Sequence, residues 1–168
     1  MIQSFAPVSR QDARILILGS MPGNVSLQAS QYYAHPRNLF WQIMEEVLGI
    51  ARSESYTNRL LQLQQKQIAL WDVAFQCQRV SSLDSDIISS SVQPNDFERF
   101  FREHPHIQRV CLNGNKAAEL YLRHVQRNIE EAKAVATIQL PSTSPTNASI
   151  TREKKISQWR QALLANVD

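Results

Sequence analysis

Residues 18–41 read LGSMPGNVSLQASQYYAHPRNLFW, and the plan of the chain is most legible there. The aliphatic run Ile15-Leu16-Ile17-Leu18 stops at Gly19-Ser20-Met21-Pro22-Gly23, which places two of the four glycines within five residues. Consecutive aliphatic residues ended by a turn signal read as a buried strand, here 14–19. The polar segment 20–37 carries Tyr32, Tyr33, His35 and Pro36 and is longer than a structural connection needs. From Leu39 the apolar positions Leu39, Phe40, Ile43, Met44, Val47 and Leu48 follow the helical period, and Gly49 supplies a stop. Pro36 fits the first helical position, which leaves Asn38 in the first turn among free backbone donors. A buried strand emptying into aromatics, amides and an imidazole builds a ligand pocket or an ordinary packed connection; composition does not separate the two.

The alternation continues downstream. Residues 68–75 (IALWDVAF) read as a second strand with Asp72 its only charge, 109–113 as a third and 134–140 as a fourth. Between them, 57–67 and 94–104 read as helices, the latter with Phe97, Phe100 and Phe101 facing inward. A helix follows Gly114, and 151–165 closes the chain with Ile156, Trp159 and Leu163 at helical spacing. The serine-rich 76–91 is a loop or a short capped helix, and 141–149 is turn-rich, since its prolines and hydroxyl residues resist regular structure. Strands alternating with helices predict an α/β fold, with a parallel or mostly parallel sheet covered on both faces. Loops after parallel strands gather at the carboxyl edge, where ligands bind. Segments 19–38, 72–86, 113–116 and 141–149 each put polar residues directly after an apolar strand, which predicts a site.

A chain of 168 residues suits one domain, and 43% apolar with 20% charged residues is the profile of a folded globular protein. No apolar run approaches the ~20 residues that span a bilayer, and the N-terminus lacks the pattern of a signal peptide, so cytoplasmic residence is the expectation. Cys77 and Cys111 are too few for a disulfide scaffold or a cysteine metal site, and His35, His104, His106 and His124 lack metal spacing; no metal or other cofactor is expected. Charge is uneven. Residues 1–108 hold nine Lys+Arg against ten Asp+Glu, and 109–168 hold nine against five, so the basic part lies toward the C-terminus and fits a surface facing phosphates.

No G-x-G-x-x-G, no G-K-[ST] loop and no G-x-S-x-G elbow is present, which sets aside dinucleotide, P-loop and nucleophile-elbow chemistry. Lys116 is the only lysine placed for a Schiff base, and a surface lysine at a helix start explains it better. What remains is a pocket of amides, aromatics and hydroxyls with little charge. Such a set suits a flat heterocycle: ring faces stack on it, and an Asn offers a donor and an acceptor to its edge. The Ser/Thr loop supplies hydroxyl and N–H donors for phosphates.

The residues carry more than this. The run G-S-M-P-G through Q-Y-Y-A-H-P-R-N-L-F-W at 19–41 resembles the first motif of the hypoxanthine (deoxyinosine) DNA glycosylases, a branch of the uracil-DNA glycosylase superfamily. Leu70-Trp71-Asp72-Val73 with Ser82-Leu83-Asp84-Ser85, Leu112-Asn113-Gly114 and 141–147 agree with it in order. The resemblance implies a three-layer α/β/α sandwich around a short four-stranded parallel sheet. It implies an enzyme that flips a deaminated base from DNA and hydrolyses its N-glycosidic bond, leaving an abasic site. Val80-Ser81-Ser82 departs from it where a glycine is expected, and Thr146 is small for an intercalating wedge.

Much of the superfamily carries a catalytic Asn, Asp or Glu two residues after the glycine that opens this loop. Met21 holds that position here, and neither it nor Ser20 can act as a base. The resemblance places the catalytic amide at Asn38 instead. It also places a base-edge contact at Asn113. Stacking on the base is assigned to Tyr33 or Phe40, and Asp72, read as an orienting acceptor ahead of a general base, and Ser20 complete the base-binding set. DNA-backbone contacts are assigned to Ser142, Thr143, Ser144, Asn147 and Ser85, and to His35 and Arg37 as backbone or leaving-group contacts, with Asp84 and Ser85 equally readable as a helix cap. One of Tyr32 and Tyr33 is expected to pack inward. The expected partner is DNA containing a deaminated base, the expected state a monomer. A uracil or mismatch glycosylase, a damaged-base or nucleotide binder that does not cut, and a flavodoxin-like small-molecule binder are the alternatives.

Overall fold

The computed structural model describes residues 1–165. A four-stranded parallel sheet at its centre is built from β2 (Ile15–Gly19), β3 (Ile68–Asp72), β6 (Arg109–Asn113) and β7 (Ala136–Leu140), in the order β3-β2-β6-β7. The register aligns the strand ends: Gly19 pairs with Asp72, Leu18 with Leu112, and Asn113 with Leu140. Three of the residues that close these strands are polar or glycine, so chemistry collects along one edge.

Both faces of the sheet are buried, which is why β2 reads as a continuous aliphatic run and not as an alternation. Leu16 and Leu18 point into one core with Trp71, Phe97, Phe100, Val110 and Tyr121. Ile15 and Ile17 point into the other with Phe40, Trp41, Ile43, Cys111 and Trp159. The first core is roofed by α4 (Phe97–Glu103), α5 (Asn115–Tyr121) and α6 (Glu130–Lys133). The second is roofed by α2 (Phe40–Leu48), α3 (Tyr56–Gln65) and α7 (Arg152–Leu164). The result is the expected α/β/α sandwich. Among the described residues no helix is long and apolar enough to cross a membrane.

Several elements follow their local chemistry. Gly49 ends α2 in the left-handed conformation at φ 73°, as the stop signal predicted. Ser55, Asp96 and Thr151 cap α3, α4 and α7 by accepting from the backbone N–H three residues on. Other predictions need correction. The helix after the first loop begins at Phe40, and Pro36 lies in the turn before it. The segment 20–37 contains a helix, α1 (Asn24–Ala29). The predicted strand 68–75 is two: β3 ends at Asp72, and β4 (Ala74–Cys77) leaves to join β1 (Ile2–Gln3) and β5 (Gln93–Pro94) in a separate antiparallel sheet. The Asn95 amide holds this branch point by donating to the carbonyls of Asp72 and Ala74. Residues 76–91 resolve into the end of β4 and two short 3₁₀ turns, Asp84–Asp86 and Ser89–Ser91.

Candidate active site

A cavity of about 930 Å³ opens at the carboxyl edge of the parallel sheet. Its wall comes from all four segments that follow the strands, and its size suits a nucleoside-sized ligand.

The floor is the junction of β2 and β3. A Cβ on Gly19 would stand 2.5 Å from Asp72 Oδ1 and 3.1 Å from Tyr33 Oη, so only glycine lets both groups close over the strand end. Asp72 is 3% exposed, and its Oδ2 is buried without a hydrogen-bond partner among the described residues. Burial first, and the Asp84 charge second, push the Asp72 carboxyl up to about 8, with Arg79 pulling the other way. Asp84 sits nearby in the cavity wall and accepts from Ser20 Oγ at 2.6 Å. Burial raises its pKa too, opposed by the Ser20 hydrogen bond and by Arg79. Arg79 donates to the Pro22 carbonyl at 2.8 Å, which braces the Gly19–Gly23 turn. Two carboxyl groups thus share one pocket, and only one of them is hydrogen-bonded.

The two tyrosines diverge. Tyr32 is the inward one: its hydroxyl donates to the Ala6 carbonyl, its N–H donates to Tyr56 Oη, and its carbonyl accepts from Trp41 Nε1. Tyr33 adopts φ 57°, an uncommon conformation for a bulky side chain that occurs where the surroundings enforce it. Its ring lines the cavity and stacks on Phe40 with centroids 4.1 Å apart and planes at 21°. Burial and the Asp72 charge raise its phenol pKa well above the ordinary value. Phe40, expected to share the stacking role, is corrected by its position: it is fully buried and backs Tyr33 from the core side. A large ring at the start of α2 is needed to fill the core there, and no face of it remains for a ligand.

Asn38 lies in the cavity wall just ahead of α2. Its N–H donates to the His35 carbonyl and its Oδ1 accepts from Phe40 N–H at 2.9 Å. The amide oxygen is therefore tied to the first turn of the helix, which fixes the plane of the group, and Nδ2 is free among the described residues. His35 accepts from Arg37 N–H through Nδ1 at 3.1 Å; both residues line the mouth, Arg37 exposed. Ser85 is also exposed at the mouth, and Ser20 is buried on Asp84.

The far wall is a tightly tied loop. Asn113 gives both Nδ2 protons away, to Tyr33 Oη at 3.2 Å and Thr143 Oγ1 at 3.0 Å, while its Oδ1 accepts from Thr143 N–H. Asn113 therefore reads a base only by exchanging one of these bonds. Thr143, expected at a DNA phosphate, lines the cavity but is 1% exposed, and its carbonyl also accepts from Leu39 N–H. It fastens β6, the last loop and the start of α2 together. Ser142 accepts from Ser144 N–H, and Ser144 pairs with Thr146 through their hydroxyls. Asn147 donates to the Ser142 carbonyl and presents its own carbonyl to Lys155 Nζ at 2.6 Å. Trp159 Nε1 donates to the Pro141 carbonyl at 3.0 Å, so α7 anchors both ends of the loop. Ser142, Thr143, Ser144 and Asn147 all line the cavity wall.

Two residues had been undervalued in the sequence. Asp84 reads locally as a cap, and it does open a 3₁₀ turn, but its carboxylate lines the cavity. Lys116, set aside as a surface residue, also lines the cavity, with Nζ 3.4 Å from Ser89 Oγ and 3.5 Å from Glu119. Their place in strand-end segments was the available signal. Among the described residues no three His, Cys, Asp or Glu side chains converge as a metal site.

Comparison with known proteins agrees with this architecture. The family profile described as the uracil DNA glycosylase superfamily matches residues 6–167, and the chain belongs to that family. It is 35% identical to a hypoxanthine DNA glycosylase of Methanosarcina barkeri, over 95% of this chain and 96% of that one. It is 31% identical to a hypoxanthine DNA glycosylase of Methanosarcina acetivorans, over 94% of each. The solution NMR structure of a candidate uracil DNA glycosylase from Methanosarcina acetivorans superposes with a TM-score of 0.80 at 31% identity, covering 96% of this chain and 95% of the other.

Proposed function

We propose that this chain is a DNA N-glycosylase that removes hypoxanthine from DNA by flipping the damaged nucleotide into the cavity and hydrolysing its N-glycosidic bond. The observation that carries the reading is the oriented Asn38 amide facing the same cavity as the Tyr33 ring. The two near-full-length relatives named hypoxanthine DNA glycosylases support the choice of base.

The flipped base stacks on the free face of Tyr33, whose other face is held by Phe40. Asn38 cannot take a proton. With Oδ1 fixed on Phe40 N–H, its remaining lone pair and Nδ2 hold a water against C1′ of the sugar. As the C1′–N bond lengthens, the sugar becomes oxocarbenium-like and the water attacks it. Positioning of this kind lowers the barrier by several kcal/mol, on the order of what a single oriented donor contributes. Arg37, His35, Ser85, Ser142, Ser144 and Asn147 at the mouth meet the flanking phosphates.

The test is a panel of duplex oligonucleotides, each with one hypoxanthine, uracil or xanthine, incubated under single-turnover conditions and cleaved at abasic sites. Hypoxanthine release ahead of uracil is expected. Uracil release alone would replace the substrate, and tight binding without release would replace the enzyme with a damaged-base binder.

A further inference from the structure

We propose that Asp72 meets the flipped base as a neutral carboxylic acid and gives its proton to a 6-oxopurine as that base departs. The inference rests on the glycosylase reading and assigns to Asp72 the reverse of an acceptor's role.

The geometry leaves Asp72 with nothing to hold a charge in place. It is 3% exposed, its Oδ2 has no hydrogen-bond partner among the described residues, and its Oδ1 is pressed toward the Gly19 backbone. A buried carboxylate normally accepts two or three hydrogen bonds or faces a cation within reach. The groups that face Asp72 are Tyr32 and Tyr33 from the loop before α2, Tyr56 from α3, Asp84 from the 3₁₀ turn, and Arg79 after β4. Lys116 of α5 acts on Asp84 behind it. Among the described residues Arg79 is the one cation whose charge acts directly on Asp72, and no hydrogen bond joins the two: its Nη2 donates to the Pro22 carbonyl and to Asn24 Oδ1, and its Nε and Nη1 make no hydrogen bond there. Asp84 is the better provided for of the two, since Ser20 donates to it. When two carboxyls share a site, the unbonded one keeps the proton. The titration near pH 8 agrees with that division.

A proton at this position has a use. When the C1′–N9 bond of a 6-oxopurine nucleotide breaks, its electron pair leaves with the base, and the negative charge spreads onto the ring nitrogens and O6. A donor aimed at that charge strengthens as it develops, whereas a carboxylate would oppose it. In the balanced step the Asp72 proton passes to the leaving base. The water oxygen bonds C1′, and the proton that water releases goes to solvent, from which Asp72 is reprotonated.

The experiment is the pH dependence of single-turnover release from a duplex carrying one hypoxanthine, for the wild type, Asp72→Asn, Asp72→Ala and Asp84→Asn. The wild-type rate should fall as pH rises past about 8. Asp72→Asn keeps a donor without a transferable proton, so its rate should be roughly tenfold lower at neutral pH and lack that fall. Asp72→Ala should lose roughly a hundredfold. Asp84→Asn removes the neighbouring charge and should move the fall to lower pH. The N1 proton of the base titrates alike in every variant, so differences between profiles isolate Asp72. A wild-type profile that is flat or rising through this range, or the same fall in Asp72→Asn, overturns the proposal while leaving the glycosylase reading intact. No release of any base by the wild type overturns both. A carbon NMR titration of the Asp72 carboxyl in the free protein keeps the question open to measurement if the variants misfold: a midpoint near pH 8 supports the acid, and a carboxyl already ionised at neutral pH overturns it.

Discussion

Asp72→Asn should make this protein more stable, by an amount that grows with pH. In the folded chain the carboxyl titrates near 8, against 3.8 for the ordinary group that the unfolded chain exposes. The sign follows from where the proton goes. Between those values the folded state keeps a proton that the unfolded state releases, so the unfolded state is favoured increasingly as pH rises. The stability associated with the neutral group is fully present below pH 3.8, declines through the interval, and is lost by about pH 8. At ~1.4 kcal/mol per pH unit, the ceiling at pH 7 is about 4 kcal/mol. Local relaxation and the effective dielectric of real interiors reduce this to roughly 2–3 kcal/mol. An amide of the same shape does not titrate, so the stability gap between variant and wild type should open from near zero around pH 4 and level off above pH 8. Urea unfolding at a series of pH values measures that gap directly. A gap of a few kcal/mol raises Tm by roughly 5–12 °C for a chain of this size. Parallel stability curves for the two proteins across the interval would refute the buried neutral acid. Gain in stability with loss of rate is the expected mark of a strained functional group.

Asn38→Ala should lower single-turnover release of hypoxanthine by ~10²–10³, the loss of one oriented donor, while costing about 1 kcal/mol in stability through the freed Phe40 N–H; an unchanged rate would refute its role. DNA affinity should fall linearly on a log–log plot against salt as phosphates release counterions, and a flat profile would refute the phosphate-facing mouth. Gly114→Ala should destabilise the protein by about 1–3 kcal/mol in chemical unfolding, because φ is +95° and a Cβ would stand 3.0 Å from Ser142 Cβ.

The sequence carried the sheet in its local chemistry. Ile15–Gly19 and Arg109–Asn113 are short aliphatic runs bounded by turn residues, and both appear as parallel strands with little change of boundary. The helix after Asn38 ended at Gly49 because only the left-handed stop was free of strain there. Residues 68–75 misled for a physical reason. Their apolar run is continuous in sequence, but the backbone changes sheets at Val73 under the direction of Asn95, more than twenty positions away. The helix at Asn24–Ala29 was hidden because it has no side-chain cap and presents few buried residues.

For the site, sequence order alone determined which four segments meet, since parallel strands must bring their carboxyl ends to one edge. The resemblance also moved the expected catalytic amide from the Ser20-Met21 turn to Asn38, and all three residues lie in the cavity wall. What the sequence did not determine is which groups are spent on one another. That Thr143 is engaged in joining three elements and that Asn113 has both donors engaged depend on partners thirty or more residues distant, and that Phe40 backs Tyr33 depends on how the core closes over α2. The upward push on the Asp72 carboxyl belongs wholly to the tertiary structure. An aspartate's charge is settled by its solvent and its neighbours, and here Gly19, Tyr33 and Asp84 replace water around it.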